Sequence, residues 1–498
     1  MMFELKVKKV DIETGGMPVI SLNEEFAKAN DLSPMDRVVV RSNHKTVVAA
    51  VDTSERLIDP EEIGVFEDAW KKLRVDNGDL VTITPVLKPE SVKYIRKKMD
   101  KEELFENEIH AIVKDIVSDR LVDVEMASFV AAAYMEGLSL AETAALTKSI
   151  VETGGRLNLK KKLIVDKHCI GGVPGNRTTM IVVPIIASLG LTIPKTSSRS
   201  ITSPSGTADT METIADVSFS MEELREIIKK TNGCIAWGGA INLAAADDKL
   251  IRVRHPLSLD PEGMMLASIM AKKLAVGSTH VIFDLPIGET AKLHYLGEAR
   301  HLEREFHKLA EKFNLKIDTV ITDGNEPIGY GIGPHLEARD VLRVLRKERS
   351  APADLRDKSL MLAGRLIELA GKAKEGEGKK IAERQLSKGK AYKKMKEIIE
   401  AQNGNPKIKP GDLTLGSYTL DYKAEKKGRI YNYKNKIISK AARAAGCPLN
   451  PEAGIFLHKQ YGNKVRKGES LFTVYSGSEL KLERVISIFN DSPPVEIR

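Results

Sequence analysis

Residues 163–214 read LIVDKHCIGGVPGNRTTMIVVPIIASLGLTIPKTSSRSITSPSGTADTMETI, and this stretch decides the fold. A short β-branched run, LIVD, leads into a loop of glycines and then an apolar helical run. LTIPKT begins the same sequence again, this time with a loop of hydroxyls. Strand, loop and helix in succession, twice over, predict a parallel sheet with ligands at the C-terminal ends of its strands. Both loops are dense in groups that hold anions. The first runs from Lys167 through Gly171, Gly172 and Gly175 to Arg177, Thr178 and Thr179; the second runs from Ser197 and Ser198 through Arg199, Ser200, Thr202, Ser203 and Ser205 to Thr207. Each empties into a helix start, where unpaired backbone N–H groups and a partial positive charge favour an anion. Two such seats in adjacent units suit two phosphates, or one phosphate and a sugar.

The alternation continues through CIAW, THVIFDL and KIDTVITD, with helical runs such as SMEELREIIKKTN and YLGEARHLEREFHKLAEKFN between them. The chain therefore reads as a multidomain α/β protein. Residues 163–400 form an α/β domain with a central, mostly parallel sheet. Upstream, residues 87–160 form a helical domain in which SVKYIRKKMDKEELFENEIHAIVKDIVSD, DVEMASFVAAAYMEG and SLAETAALTKSIVETG carry apolar residues at helix spacing. Ser139 and Glu142 make an S-x-x-E capping box there. The segment 255–277 is expected to pack on that domain. Residues 1–86 hold the short runs PVISL, DRVVVR, KTVVAAVD and DLVTITPV between polar turns, the pattern of a small β-rich barrel with no catalytic constellation. Its expected role is assembly, giving a homodimer or larger homo-oligomer. Residues 410–498 return to strands and turns, with GIFLHKQYGNKVRKGESLFTVYS reading as hairpin-like, in an α+β C-terminal portion.

Composition narrows the function classes. A chain of 498 residues supports about three domains. No window approaches the roughly 20 apolar residues of a membrane span, and the start lacks a signal-peptide core, so no membrane partner is expected. Cys169, Cys234 and Cys447 lie far apart, without a CxxC or Cys/His cluster, which points away from disulfides and zinc and toward a cytoplasmic location. The net charge of +8 concentrates in 371–440, where lysines alternate with glutamates. That is the pattern of a solvated helical face, so nucleic acid is not the expected partner. Charged residues reach 29%, rich in Lys and Glu, a lean toward a thermophilic source.

VDKHCIGGV resembles the phosphate-binding signature of the thymidine and pyrimidine nucleoside phosphorylases. SSRSITSPSGTADTMET stands where that family has its second loop, ASIMAKKLAVG resembles its S-I-x-x-K-K helix, and KGKAYKKMKEIIEAQNGN and GIFLHKQYGNKVRKGESLF resemble later landmarks. The likeness spans about residues 90–498 and implies a helical and an α/β domain flanking a cleft. Two departures matter. Cys169 replaces the family's serine, and the second loop carries hydroxyls where the nucleoside enzymes carry glycines. Hydroxyls add donors for oxygens that a nucleoside lacks and a 5′-phosphate supplies. With the extra N-terminal domain, the combination resembles the archaeal AMP phosphorylases, which split a nucleoside 5′-monophosphate with inorganic phosphate.

That resemblance implies inorganic phosphate as co-substrate, held by Lys167, Thr178, Thr179, Ser197 and Lys272, and no metal or other cofactor. It implies AMP contacts at Gly172, Ser198, Arg199, Ser200, Ile201, Thr202, Ser203, Thr207, Ser268 and Lys292. It makes Asp260 the proton donor to the leaving base. Plainer roles stand beside these. Thr178, Thr207 and Asp260 sit where helix caps belong; Lys272 and Lys292 suit a solvated face; Arg199 suits either phosphate binding or bracing of its loop; Trp237 suits packing better than base stacking; Cys169 has no base partner and is not expected to act as a nucleophile. The rival activities are a pyrimidine nucleoside phosphorylase and an anthranilate phosphoribosyltransferase-type enzyme needing Mg²⁺; the rival class is a nucleic-acid-binding scaffold. The choice among AMP, CMP and UMP stays open.

Overall fold

The computed structural model describes residues 2–43, 45–200, 203–241, 243–289 and 291–498. The chain divides into two compact units, Met1–Gly154 with Ala244–Ala271, and Gly155–Leu243 with Lys272–Arg498.

In the first unit, six strands close a barrel. They are β1 (Phe3–Val10), β2 (Val19–Asn23), β3 (Arg37–Arg41), β4 (Thr46–Ser54), β5 (Glu62–Phe66) and β6 (Leu80–Val86), in the order β1-β5-β2-β4-β3-β6. β1/β5 and β2/β4 pair in parallel and the other neighbours antiparallel. Closure leaves no free sheet edge. Alternate residues point inward, so Ile20, Leu22, Val38, Val40, Ile63, Val65 and Ile83 are wholly buried.

The same unit holds the helices Ser91–Met99, Glu106–Val117, Asp123–Glu136 and Leu140–Thr153. The stretch read as one long helix, 91–119, is two. Lys101 takes a left-handed φ of 70°, and Glu108 accepts from Phe105 N at 2.8 Å to start the second helix. The capping box forms as expected: Glu142 N donates to Ser139 Oγ (3.1 Å) and Ser139 N to Glu142 Oε2 (2.8 Å). Glu142 also takes the buried Lys98 ammonium at 2.8 Å. The inserted segment of this unit begins at Ala244 and ends at Ala271, earlier at both ends than the expected 255–277, because the helix Ala245–Arg254 also packs on the bundle.

In the second unit, the five strands read from the sequence form as β7 (Val165–Cys169), β8 (Ile193–Ser197), β9 (Gly233–Trp237), β10 (His280–Ile287) and β11 (Lys316–Asp323). All pairings are parallel, but the sheet is split. β11-β10-β7 is one piece and β8-β9 the other. A bridge at Ile164 and Thr192 joins them at the N-terminal end, after which β7 and β8 part. The chain runs from β7 outward to β8 and β9, then returns to β10 on the other flank of β7. The switch in direction lies between β7 and β10, where α/β sheets hold their ligands. The helices Thr178–Ala187, Pro334–Arg346, Ala353–Leu369, Gly378–Ser387 and Lys390–Ala401 cover a core built on Met180–Ile186, Val341–Leu345 and Leu362–Ile367.

The C-terminal portion carries an antiparallel sheet of Gly331–Ile332, Gly454–Leu457, Ser470–Ser476 and Tyr418–Lys423, in that order. The expected hairpin pairs Gly454 with Tyr475 through Leu457 with Phe472. The helices Asn435–Ala445 and Glu479–Asp491 close its own core around Tyr433, Phe472 and Val485. No helix among the described residues is long and apolar enough to cross a membrane.

Candidate active site

The split between β7 and β8 surrounds a buried cluster of charge. Asp166 and Lys167 follow one another on β7, and both are essentially inaccessible. An acid and a base inside an apolar strand must find partners there. Asp166 Oδ2 accepts from the Lys273 ammonium at 2.7 Å, and its Oδ1 accepts from Lys167 N at 2.7 Å. Lys167 Nζ turns the other way, donating to Thr178 Oγ1 (2.9 Å) and lying 3.8 Å from Asp284 on β10. Lys358, from the helix Ala353–Leu369, stands 3.3 Å from the same carboxylate. Lys195 on β8 donates to the carbonyl of Thr196. Three lysines thus share two aspartates, and Lys195 pairs with neither.

Burial lowers the Lys167 ammonium below its ordinary value against the pull of Asp284. Burial also opposes ionisation of Asp284, but Lys358 and Lys167, helped by the Thr322 hydroxyl (2.6 Å), outweigh it and hold the carboxyl low. His168 is pushed well below its ordinary value by burial and by Lys273 and Lys195, so it is a neutral imidazole at pH 7. Burial raises the Cys169 thiol, the state of a poor nucleophile.

The first loop is shaped by glycine. Gly171 and Gly172 have φ of 93° and 91°, a region that favours glycine. A Cβ on Gly172 would lie 2.5 Å from Lys292 N, whereas one on Gly171 would meet nothing within 4 Å. The loop after β7 therefore lies directly against the loop after β10, across the switch point. Thr178 does not cap the following helix through its side chain, which joins Lys167 Nζ to Asn176 Oδ1 (3.0 Å). Thr179 is buried beside it.

Arg177, read as an anion clamp of the first loop, is instead a brace. Its Nε pairs with buried Glu337, Nη1 donates to Thr207 Oγ1 (3.0 Å) and Nη2 to Ser205 O (2.6 Å), tying the two loops together. Arg199 also has carboxylate partners in its loop. It meets Glu212 at 2.6 Å and Asp209 at 3.5 Å, and its guanidinium lies 4.8 Å over the Trp237 ring. Trp237 packs against the main core, as expected. Asp209 Oδ2 accepts from Ser200 N and Gly206 N, both at 2.7 Å, which fixes the turn. Ser197 Oγ donates to Ser198 O (3.1 Å), Ser200 Oγ to Ser203 O, and Ser203 Oγ to Ser205 O (3.1 Å). Ile201 and Thr202 lie outside the described residues. The second helix, Thr207–Glu212, has six residues, so its dipole is short.

Sequence reading missed Arg443. The helix Asn435–Ala445 carries it to the second loop, where Nη1 donates to Ser203 O (3.1 Å) and approaches Ser200 Oγ (3.4 Å). Nothing in its local sequence marks it. Lys195, Lys273 and Lys358 also escaped notice, although the acids inside the apolar strands LIVD and VIFDL called for buried cations.

The remaining expected residues divide between the units. Lys272 and Lys292 belong to the second, with the Lys272 charge acting on His168. Asp260 and Ser268 belong to the first. There Arg254 Nη1 donates to Asp260 Oδ1 at 3.2 Å, and Ser268 Oγ donates to Asp247 Oδ2 at 2.7 Å.

A helical bundle, a parallel sheet split at its centre and a lysine-lined seat at the switch point define an enzyme that transfers pentosyl groups, and the comparisons with known proteins agree. Residues 92–154 match the helical bundle domain of the glycosyl transferase family, 161–392 its a/b domain, and 430–495 the pyrimidine nucleoside phosphorylase C-terminal domain. Anthranilate phosphoribosyltransferase from Thermus thermophilus shares the fold, with a TM-score of 0.53 at 17% identity over 62% of this chain and 99% of that one. The particular family comes from full-length relatives. The chain is 46% identical to an AMP phosphorylase of Thermofilum pendens over 99% of this chain and 94% of the relative. It is 44% identical to one from Pyrococcus furiosus, over 99% and 97%. The chain belongs to the AMP phosphorylase family.

Proposed function

We propose that this enzyme phosphorolyses AMP, giving adenine and ribose 1,5-bisphosphate. The observation that carries the reading is the pair of loops at the C-terminal ends of β7 and β8, one backed by buried lysines and the other by hydroxyls and Arg443. Inorganic phosphate occupies the lysine-backed seat as nucleophile, and the 5′-phosphate of the nucleotide is read by the hydroxyl loop.

The chemistry follows from charge. The C1′–N9 bond breaks as the sugar passes through an oxocarbenium-like state, and a phosphate oxygen forms the new bond to C1′. Lys167, oriented by Asp284 and Thr178, neutralises and fixes the nucleophile. Asp260 delivers a proton to the departing adenine, which otherwise leaves as an anion. The reaction uses no metal, so a chelator leaves turnover unchanged. Assembly into a homodimer or larger homo-oligomer uses the N-terminal barrel, checked by light scattering with and without residues 1–86.

The deciding experiment scores free base released from AMP, CMP, UMP, adenosine and thymidine with phosphate. AMP is the best substrate on this reading. A faster reaction with adenosine or thymidine would refute it.

A further inference from the structure

We propose that Lys195 is a further binding residue of the phosphate seat, its charge balanced by the anion that enters there. The inference rests on the phosphate seat assigned above and extends it to a residue outside both loops.

Asp284 is shared by Lys167 and Lys358, and Asp166 is engaged by Lys273. Lys195 is buried on β8 and forms no ion pair with a carboxylate among the described residues; its ammonium donates to the carbonyl of its neighbour Thr196. A buried cation in that position is costly unless a counter-charge arrives or its proton leaves. The groups that face it are Asp166, Lys167 and His168 from β7, Lys273 from the helix Glu262–Ala275, and Cys234 from β9. Only Asp166 among them is an acid, and it already holds Lys273. Consistent with this, burial, then Lys273, pushes the Lys195 ammonium down to about 7. Until an anion binds, then, Lys195 is near half-protonated at neutral pH.

A dianion supplies the missing charge and favours the ammonium, so binding takes up a proton. The sign is fixed by linkage. Affinity is full below pH 7 and falls as pH rises through that value, by up to about tenfold per pH unit, until the raised value of the occupied seat is reached.

Sulfate is the suitable probe, because inorganic phosphate itself titrates near pH 7. Calorimetry of sulfate binding to the full-length enzyme, in two buffers of different ionisation enthalpy between pH 6 and 9, reads the proton directly. The wild type should take up close to one proton per sulfate near pH 8, with Kd rising steeply above pH 7. Lys195→Met should bind without proton uptake and with a flat Kd. Lys195→Arg, which stays charged, should also show no uptake but retain tight binding, and it decides the matter if the methionine variant does not fold. Wild-type uptake persisting in either variant, or sulfate binding by the wild type with no uptake, would overturn the proposal. Adenine release is scored separately. An enzyme that takes up a proton with sulfate yet leaves AMP intact would refute the proposed function and leave the role of Lys195 standing.

Discussion

Gly171 and Gly172 offer a matched pair in which backbone strain and close approach can be separated. Both have nearly the same left-handed φ, 93° and 91°. Alanine at either position carries a strain of about 1–3 kcal/mol. At Gly171 nothing else is added, because a Cβ there meets no atom within 4 Å. At Gly172 the new Cβ would sit 2.5 Å from Lys292 N, with the Ala291 carbonyl carbon at 3.1 Å. Ordinary contact begins near 3.4 Å, so the 291–292 backbone must retreat by about 0.9 Å. A displacement of about 1 Å in a substrate-positioning segment costs on the order of 100-fold in rate. Gly171→Ala should therefore lower the melting temperature modestly and leave adenine release within a few-fold of wild type. Gly172→Ala should show a comparable or larger melting shift and a loss of about 100-fold in kcat/KM for AMP. The assay is steady-state adenine release at varied AMP and fixed phosphate, with a thermal melt on each variant. If the two variants have equal activity, the contact between the first loop and Lys292 does not position substrate.

Other outcomes follow from the same geometry. Asp260→Asn should cut kcat by about 10²–10⁴ while leaving the KM for AMP close to wild type, since the shape stays and the proton goes; unchanged turnover would remove Asp260 as the acid. Ser200→Ala with Thr202→Ala should cost AMP activity about 10–100-fold, the worth of a hydrogen bond or two to a charged group, and adenosine activity less; equal losses would detach this loop from the 5′-phosphate. Asp284→Asn strands Lys167 and Lys358 on a neutral amide, so folding stability should drop as for a broken buried ion pair, by about 3–5 kcal/mol, read as a lower melting temperature. Added phosphate should restore more of it than it adds to the wild type, and equal phosphate shifts would argue against the seat.

The five strands of the α/β domain were legible because apolar β-branched runs there alternate with long amphipathic helices. The barrel was less so. β1, FELKVKKV, hides its inward Leu5 and Val7 among lysines, and β5 is a five-residue strand containing Gly64. The break at Lys101 went unread because apolar spacing continues across it, and only backbone dihedrals reveal the left-handed turn. At the site, residue chemistry marked both loops and Lys167, but it did not say which cations bind ligand and which brace. Arg177 looks alike in sequence to Lys167, and a distant buried acid, Glu337, makes it a brace between the loops. Of the adjacent pair Lys272 and Lys273, it is Lys273 that lies buried against Asp166, a choice made by helix phase.

The C-terminal sheet begins outside the C-terminal portion. Gly331–Ile332, contributed by the stretch between β11 and the helix Pro334–Arg346, is its edge partner, paired to Gly454–Leu457, while Tyr418–Lys423 flanks the far side. A chain cut before residue 410 would strip that short strand of its neighbour and release Arg443 from the hydroxyl loop. A cut at 430, where the matched C-terminal family domain starts, would leave Tyr418–Lys423 orphaned on the other fragment. The last ninety residues are thus woven into the catalytic half of the molecule, and dissection by domain boundary would sever a shared fabric.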